Sequence, residues 1–209
     1  MRIGGLKIEE VFSIIDWCIK KYFPDDYDVK CLYSACAIYS IFASQGIKSS
    51  IIGGNVGALT LSTDGNKALI EGFGGGNETN PSHYWVEANG VIFDINVSYL
   101  PKRSRLQAAA MPMVAWSKNI PLPNCLKYVE KIRYSEDVEF CFQSEISIRM
   151  QDFIDLCKKR HSSKVASKRL GTWLLSNPTD LNNAARTGDK WARGAIRFQK
   201  MNSTPINIG

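Results

Sequence analysis

Histidine is scarce in these 209 residues: His83 and His161 are the only two. Six cysteines (18, 31, 36, 125, 141 and 157) lie far apart along the chain, and no CxxC pair occurs. With so few imidazoles and no paired cysteines, neither a metal site of the usual ligand spacing nor a disulfide framework is expected. The thiols read as buried or reactive instead. No apolar run approaches the roughly 18 residues of a membrane span, so no membrane partner is expected. The N-terminus MRIGGLKIEEVFSIIDWC carries acids where a secretory peptide would hold its apolar stretch, and the chain reads as cytoplasmic. The Gly-rich GFGGGN has neither the Lys-Ser/Thr ending nor the following helix of a phosphate loop. No cofactor is therefore expected.

The residues that are present support one good-sized core, since 44% are hydrophobic. The net charge of +6 is unevenly placed: from Cys157 to Lys200 eleven Lys or Arg stand against two acids, Asp180 and Asp189. Such a tail reads as solvated helix faces, or as a surface for nucleic acid or another acidic partner, with Trp173, Trp191 and Phe198 interspersed.

Along the chain, Lys7 to Phe23 has apolar residues at helical spacing, and Pro24 stops the pattern. The acids of DDYD (25–28) are placed to cap the next helix, Lys30 to Gln45, which is apolar or small nearly all round and so predicts burial. Gly46 is its expected C-terminal cap. Short β-like runs follow: IKSSIIGG, ALTLST, KALIEGF, HYWVEA and VIFDINV. RLQAAAMPMVAW is a helix candidate, NIPLPN (119–124) a loop, and YSEDVEFCFQSEISI strand-like. From Arg149 the chain reads as helical to about Trp173, breaks at SNPTD, and resumes loosely over 180–200. This order predicts an α+β fold, a central buried helix packed on an antiparallel sheet. A core over 1–148 would carry a helical, basic C-terminal extension over 149–209.

Cys31 opens the buried helix. A thiol there feels the positive end of the helix dipole, and the unpaired first-turn N–H groups can hold an oxyanion. The plain alternative is a core cysteine, which is also the reading for Cys36, more than a turn deeper. Asn89-Gly90 predicts a two-residue type I′ hairpin. Its register sets Ala88 opposite Val91, Glu87 opposite Ile92, Val86 opposite Phe93, Trp85 opposite Asp94 and His83 opposite Asn96. His83, Trp85, Glu87, Ile92, Asp94 and Asn96 then share a mixed face, and the other face is wholly apolar. Asp94 lies on the diagonal from His83, within side-chain reach. A cysteine nucleophile needs a base and a third group to orient it. His83 supplies the base, and Asp94 or Asn96 the third group. His161 is the alternative base, and an exposed polar histidine on a sheet is the plain reading.

Together, CLYSACAIYSIFASQGIKSSIIGG and HYWVEANGVIFD resemble the transglutaminase-like branch of the papain-like cysteine proteases, in the manner of lasso-peptide leader peptidases. The match covers about residues 28–96. It implies a papain/transglutaminase-like core, with Cys31 as nucleophile, His83 as general base and acid, and Asp94 as the orienting residue. It further implies a peptide or protein substrate, cleaved or exchanged through a thioester. The span STDGNKALIEGFGGGNETNPS between helix and histidine departs from that pattern by its length.

Overall fold

The computed structural model describes residues 1–73, 80–134, 144–163 and 170–201, leaving out the side chains of 144 and 145. A two-residue hairpin, β1 (Arg2–Ile3) with β2 (Leu6–Lys7), leads into helix α1 (Ile8–Tyr22). Its buried residues Val11, Phe12, Ile15, Cys18 and Ile19 keep the helical spacing seen in the sequence. Glu9 and Glu10 sit in its first turn and Lys20 and Lys21 in its last, each favourable to the helix dipole. A 3-10 turn (Tyr27–Val29) then feeds helix α2 (Cys31–Ser44). Ala35, Cys36, Ala37, Ile38, Ile41 and Phe42 of α2 are all buried. Gly46 ends the run at φ 68°, a left-handed conformation that favours glycine.

Strand β3 (Ser50–Leu61) is one continuous twelve-residue element where the sequence suggested two short runs. On one edge it pairs first with β5 (His83–Ala88) and then with β4 (Ala68–Phe73), both antiparallel. Strand β8 (Leu126–Tyr134) takes the other edge, since Val56 faces both Phe73 and Tyr128. The sheet continues through β6 (Val91–Asp94) and β7 (Met113–Ser117) to β9 (Leu174–Leu175), whose pairing with β7 is parallel. The fold is α+β, with a mostly antiparallel sheet.

The β5–β6 ladder has the expected register at Val86–Phe93, Glu87–Ile92 and Ala88–Val91. Asn89 and Gly90 take φ 49° and 71°, as a type I′ turn requires. Beyond Asp94 the chain enters a 3-10 turn (Asn96–Tyr99), so His83 lies opposite Gly54 of β3, not in a ladder with Asn96. Val86, Ala88, Val91 and Phe93 pack against α1, α2 and helix α4 (Ser144–Ser162). The other face is also closed: Trp85 and Ile92 share a second core with Trp116 of β7 and Trp191 of helix α6 (Lys190–Met201). The short helices α3 (Leu100–Arg103) and α5 (Pro178–Arg186) precede β7 and α6 respectively.

Three expectations need correction, and a fourth lies mostly outside the described residues. RLQAAAMPMVAW runs into β7 and holds no helix, because Val114, Ala115 and Trp116 pair with β6, Met113 pairs with β9, and the four bury on both faces. The expected strand YSEDVEFCFQSEISI falls largely on 135–143, outside the described residues, and its end lies in α4. Leu174–Leu175, just past the helix expected to run to Trp173, is a strand, and α4 ends at Ser162. SNPTD starts α5 rather than breaking a helix, since Asn177 Oδ1 accepts from the Asp180 N–H as an N-cap. No helix among the described residues is long and apolar enough to cross a membrane.

Candidate active site

Cys31 is the first residue of α2, and no side chain caps that end of the helix. The expected caps serve elsewhere. Asp28 is buried and accepts from Lys102 Nζ at 2.8 Å and from Arg103 Nε, and Asp26 pairs with Lys30. Burial alone would raise the Asp28 carboxyl, but the Lys102 and Arg103 hydrogen bonds outweigh it and hold it below the usual carboxylate range. The 3-10 turn before the thiol is thereby tied to α3. The first-turn N–H groups of α2 keep no side-chain partner, as every uncapped helix start does.

His83 is the first residue of β5 and is fully buried. Its Nε2 lies 2.8 Å from Asp94 Oδ2. The other carboxylate oxygen accepts from the backbone N–H of Asn96 at 2.9 Å and of Val97 at 3.3 Å. An ionised carboxylate only accepts, so Nε2 carries the proton of the shared bond. Nδ1 has no aligned hydrogen-bond partner among the described residues, yet the Cys31 thiol lies within interacting range of the ring. With Nε2 taken, Nδ1 is the nitrogen available to sulfur. Burial alone would lower the basicity of His83, but the Asp94 charge, its hydrogen bond and the Cys31 neighbour push it up to about 10. Phe73 stacks on the imidazole at 4.3 Å between centroids, and Trp85 flanks it at 6.3 Å.

Cys31, His83 and Asp94 are therefore brought together. Asn96 is not part of the group: its side-chain oxygen and nitrogen are buried with no partner among the described residues. His161 sits in the last turn of α4, whereas the imidazole interacting with Cys31 is that of His83. The mixed hairpin face is not exposed, because β8 and α6 close over it. Trp191 Nε1 donates to the Leu59 carbonyl at 2.7 Å, and Tyr128 of β8 reaches Asp94 Oδ2 at 3.0 Å. Gly54, opposite His83, leaves room for this closure: an added Cβ would run into the Val129 carbonyl and the Trp85 ring.

Sequence reasoning missed Tyr128, Phe73 and Tyr84. The Tyr84 phenol is pushed up to about 12 by burial, by Tyr134 and by Cys31. No local pattern ties residue 128 to residue 94; only the three-dimensional path of β8 does. It also missed that Cys18 of α1 and Cys157 of α4 meet as a hydrogen-bonded thiol pair, which lowers Cys18 and raises Cys157. Cys36 is pushed up to about 12, mainly by burial, in line with its reading as core. Cys141 lies outside the described residues.

Among the described residues no cluster of three His, Cys, Asp or Glu could hold a metal ion. Several cations of the basic tail are turned to the protein itself. Arg160 lies 3.7 Å over the Trp17 ring, Lys190 donates to the Thr63 carbonyl and Arg193 to that of Ala185. Lys164, Lys168 and Arg169 fall outside the described residues.

No family model and no curated protein matches this chain. One solved structure, described as "The crystal structure of genomics APC5867", aligns over 80% of this chain and 82% of that chain, at 15% identity and a TM-score of 0.48. That likeness is too loose to carry an argument.

Proposed function

We propose that the chain is a cysteine-dependent hydrolase or acyl-transfer enzyme of the papain-like, transglutaminase-like kind, acting on a peptide or amide bond of a peptide or protein substrate. One observation carries the reading: a thiol at a helix start and a carboxylate on Nε2 converge on one buried imidazole. In the attack step, sulfur bonds to the carbonyl carbon, its proton resides on Nδ1, and the carbonyl π pair moves to oxygen. The first-turn N–H groups of α2 are the donors for that oxyanion. Collapse restores the C=O bond and breaks the C–N bond, and the amine leaves with the proton from Nδ1. Water then gives a proton to Nδ1 and adds to the thioester. Its collapse returns the proton to sulfur and releases the acid, and an amine in place of water would give transamidation. The raised basicity of His83 keeps the proton on the ring between attack and expulsion.

A second reading, a scaffold that keeps the three residues without turnover, is favoured by the closure of the site: Cys31 is 8% exposed and His83 0%. An activated ester separates the two. With p-nitrophenyl acetate, the full chain should release a burst of about one nitrophenolate per molecule and gain an acetyl group on Cys31. Cys31→Ala should abolish both, and His83→Ala should slow acylation by roughly 10²–10⁴-fold. Acetylation spread over the cysteines, or indifferent to His83→Ala, would defeat the enzyme reading.

A further inference from the structure

Asp94 holds the imidazole with one edge of its carboxylate while a second residue holds that same edge. Tyr128 comes from β8, on the far side of β3 from β5, and its hydroxyl donates to Asp94 Oδ2 at 3.0 Å. The phenol packs edge-on against Trp85, with 5.2 Å between centroids, and so against the same ring that flanks His83. Two backbone N–H groups fix Oδ1. Tyr128 and His83 share Oδ2, and together these four donors leave the buried carboxylate a single orientation. We infer that Tyr128 is a positioning residue for the Cys31–His83–Asp94 group, its hydroxyl locking Asp94 Oδ2 onto His83 Nε2. The inference rests on the proposed catalytic reading and names a role that neither the sequence nor that reading required.

A hydroxyl on the shared oxygen has two effects. It blocks rotation of the carboxylate away from the ring, and it adds a second donor to the oxygen that His83 Nε2 holds. Other titratable groups facing this cluster are Cys31 from α2 and Tyr99 from the 3-10 turn after β6, whose own hydroxyl is engaged by Asp16 at 2.6 Å. Phe73 and Trp85 are the ring neighbours of the imidazole and carry no charge. Tyr128 is half-buried as a residue, and desolvation of its phenol followed by the Asp94 charge keeps it well above the usual range, so it donates at any physiological pH.

The test uses the full chain and the NMR titration of its two histidines, His83 and His161. Tyr128→Phe keeps the ring against Trp85 and removes only the hydroxyl. The His83 midpoint should fall by at least about one pH unit as the Asp94 contact loosens, with His161 unmoved as the internal control. In an Asp94→Asn background, Tyr128→Phe should add nothing, because its effect runs through Asp94. A purely structural role would lower the melting temperature and leave the His83 midpoint in place. An unmoved midpoint, or an equal shift in the Asp94→Asn background, overturns the inference. Failure of Cys31 to accept an acetyl group would instead remove the catalytic reading and leave this titration as it stands.

Discussion

At the scale of single residues, a buried imidazole bonded to a buried carboxylate leaves a pH signature in stability. His83 is raised from its ordinary value near 6.5 to about 10 in the folded protein. The fold therefore binds that proton more tightly than the unfolded chain does. The resulting stabilisation is complete below about pH 6.5 and is lost as the pH climbs towards 10. Thermal melts of the unmutated chain should show the midpoint falling across that window, and His83→Gln should flatten this part of the profile. Parallel profiles for the two proteins would mean that Asp94 does not hold the imidazole in its charged form. The same chemistry separates Asp94 from Asn96, which the residue pattern alone left open. Asp94 ends β6 with its carboxylate turned to the ring, while the backbone of Asn96 has already left the strand.

At the scale of elements, the start of α2 depends on a tie from outside the helix. Asp28 joins the 3-10 turn before Cys31 to Lys102 and Arg103 of α3. Asp28→Asn keeps the shape and removes the charge. It should cost roughly 1.5–3 kcal/mol in urea unfolding, the worth of hydrogen bonds to charged groups. It should also slow acetylation of Cys31, because the lead-in to that residue is loosened. Unchanged stability would show that the exposed Lys102 and Arg103 side chains give no net support. DDYD illustrates where sequence reading stops. Acids just before a helix are good caps by local rule, but the partners that claimed Asp28 lie about 75 positions away. Helices α1 and α2 and the Asn89-Gly90 hairpin were legible, because periodicity and turn chemistry are local. Strands β7 and β8 were not. Alanine-rich RLQAAAMPMVAW favours a helix until β6 offers its edge, and LKYVEKIRY carries no alternation that singles out β3 as its partner.

At the scale of the whole molecule, the sheet has a core on each face, and the C-terminal segment contributes to both. Met150, Phe153 and Cys157 of α4 pack with α1 and α2, and Trp191 of α6 fills the opposite side. Closure by β8 and α6 explains why the hairpin face, read as mixed, became a buried site with His83, Asp94 and Asn96 all inside. Cys31 and His83 were legible as separate signals, each with a plain alternative. Their meeting depends on the packing of α2 against β5, which no spacing in the sequence encodes. That packing also sorts the thiols. Cys36 and Cys125 are pushed up to about 12, mainly by burial, whereas Cys31 alone among the described cysteines faces an imidazole. The central claim is that the fold makes one cysteine a nucleophile, and the most direct measurement is a reactivity census of the native full chain. Limiting iodoacetamide near neutral pH, mapped peptide by peptide, should modify Cys31 at least about tenfold faster than Cys36 or Cys125. His83→Gln should erase that advantage. Labelling of Cys31 no faster than of those two thiols would contradict the account.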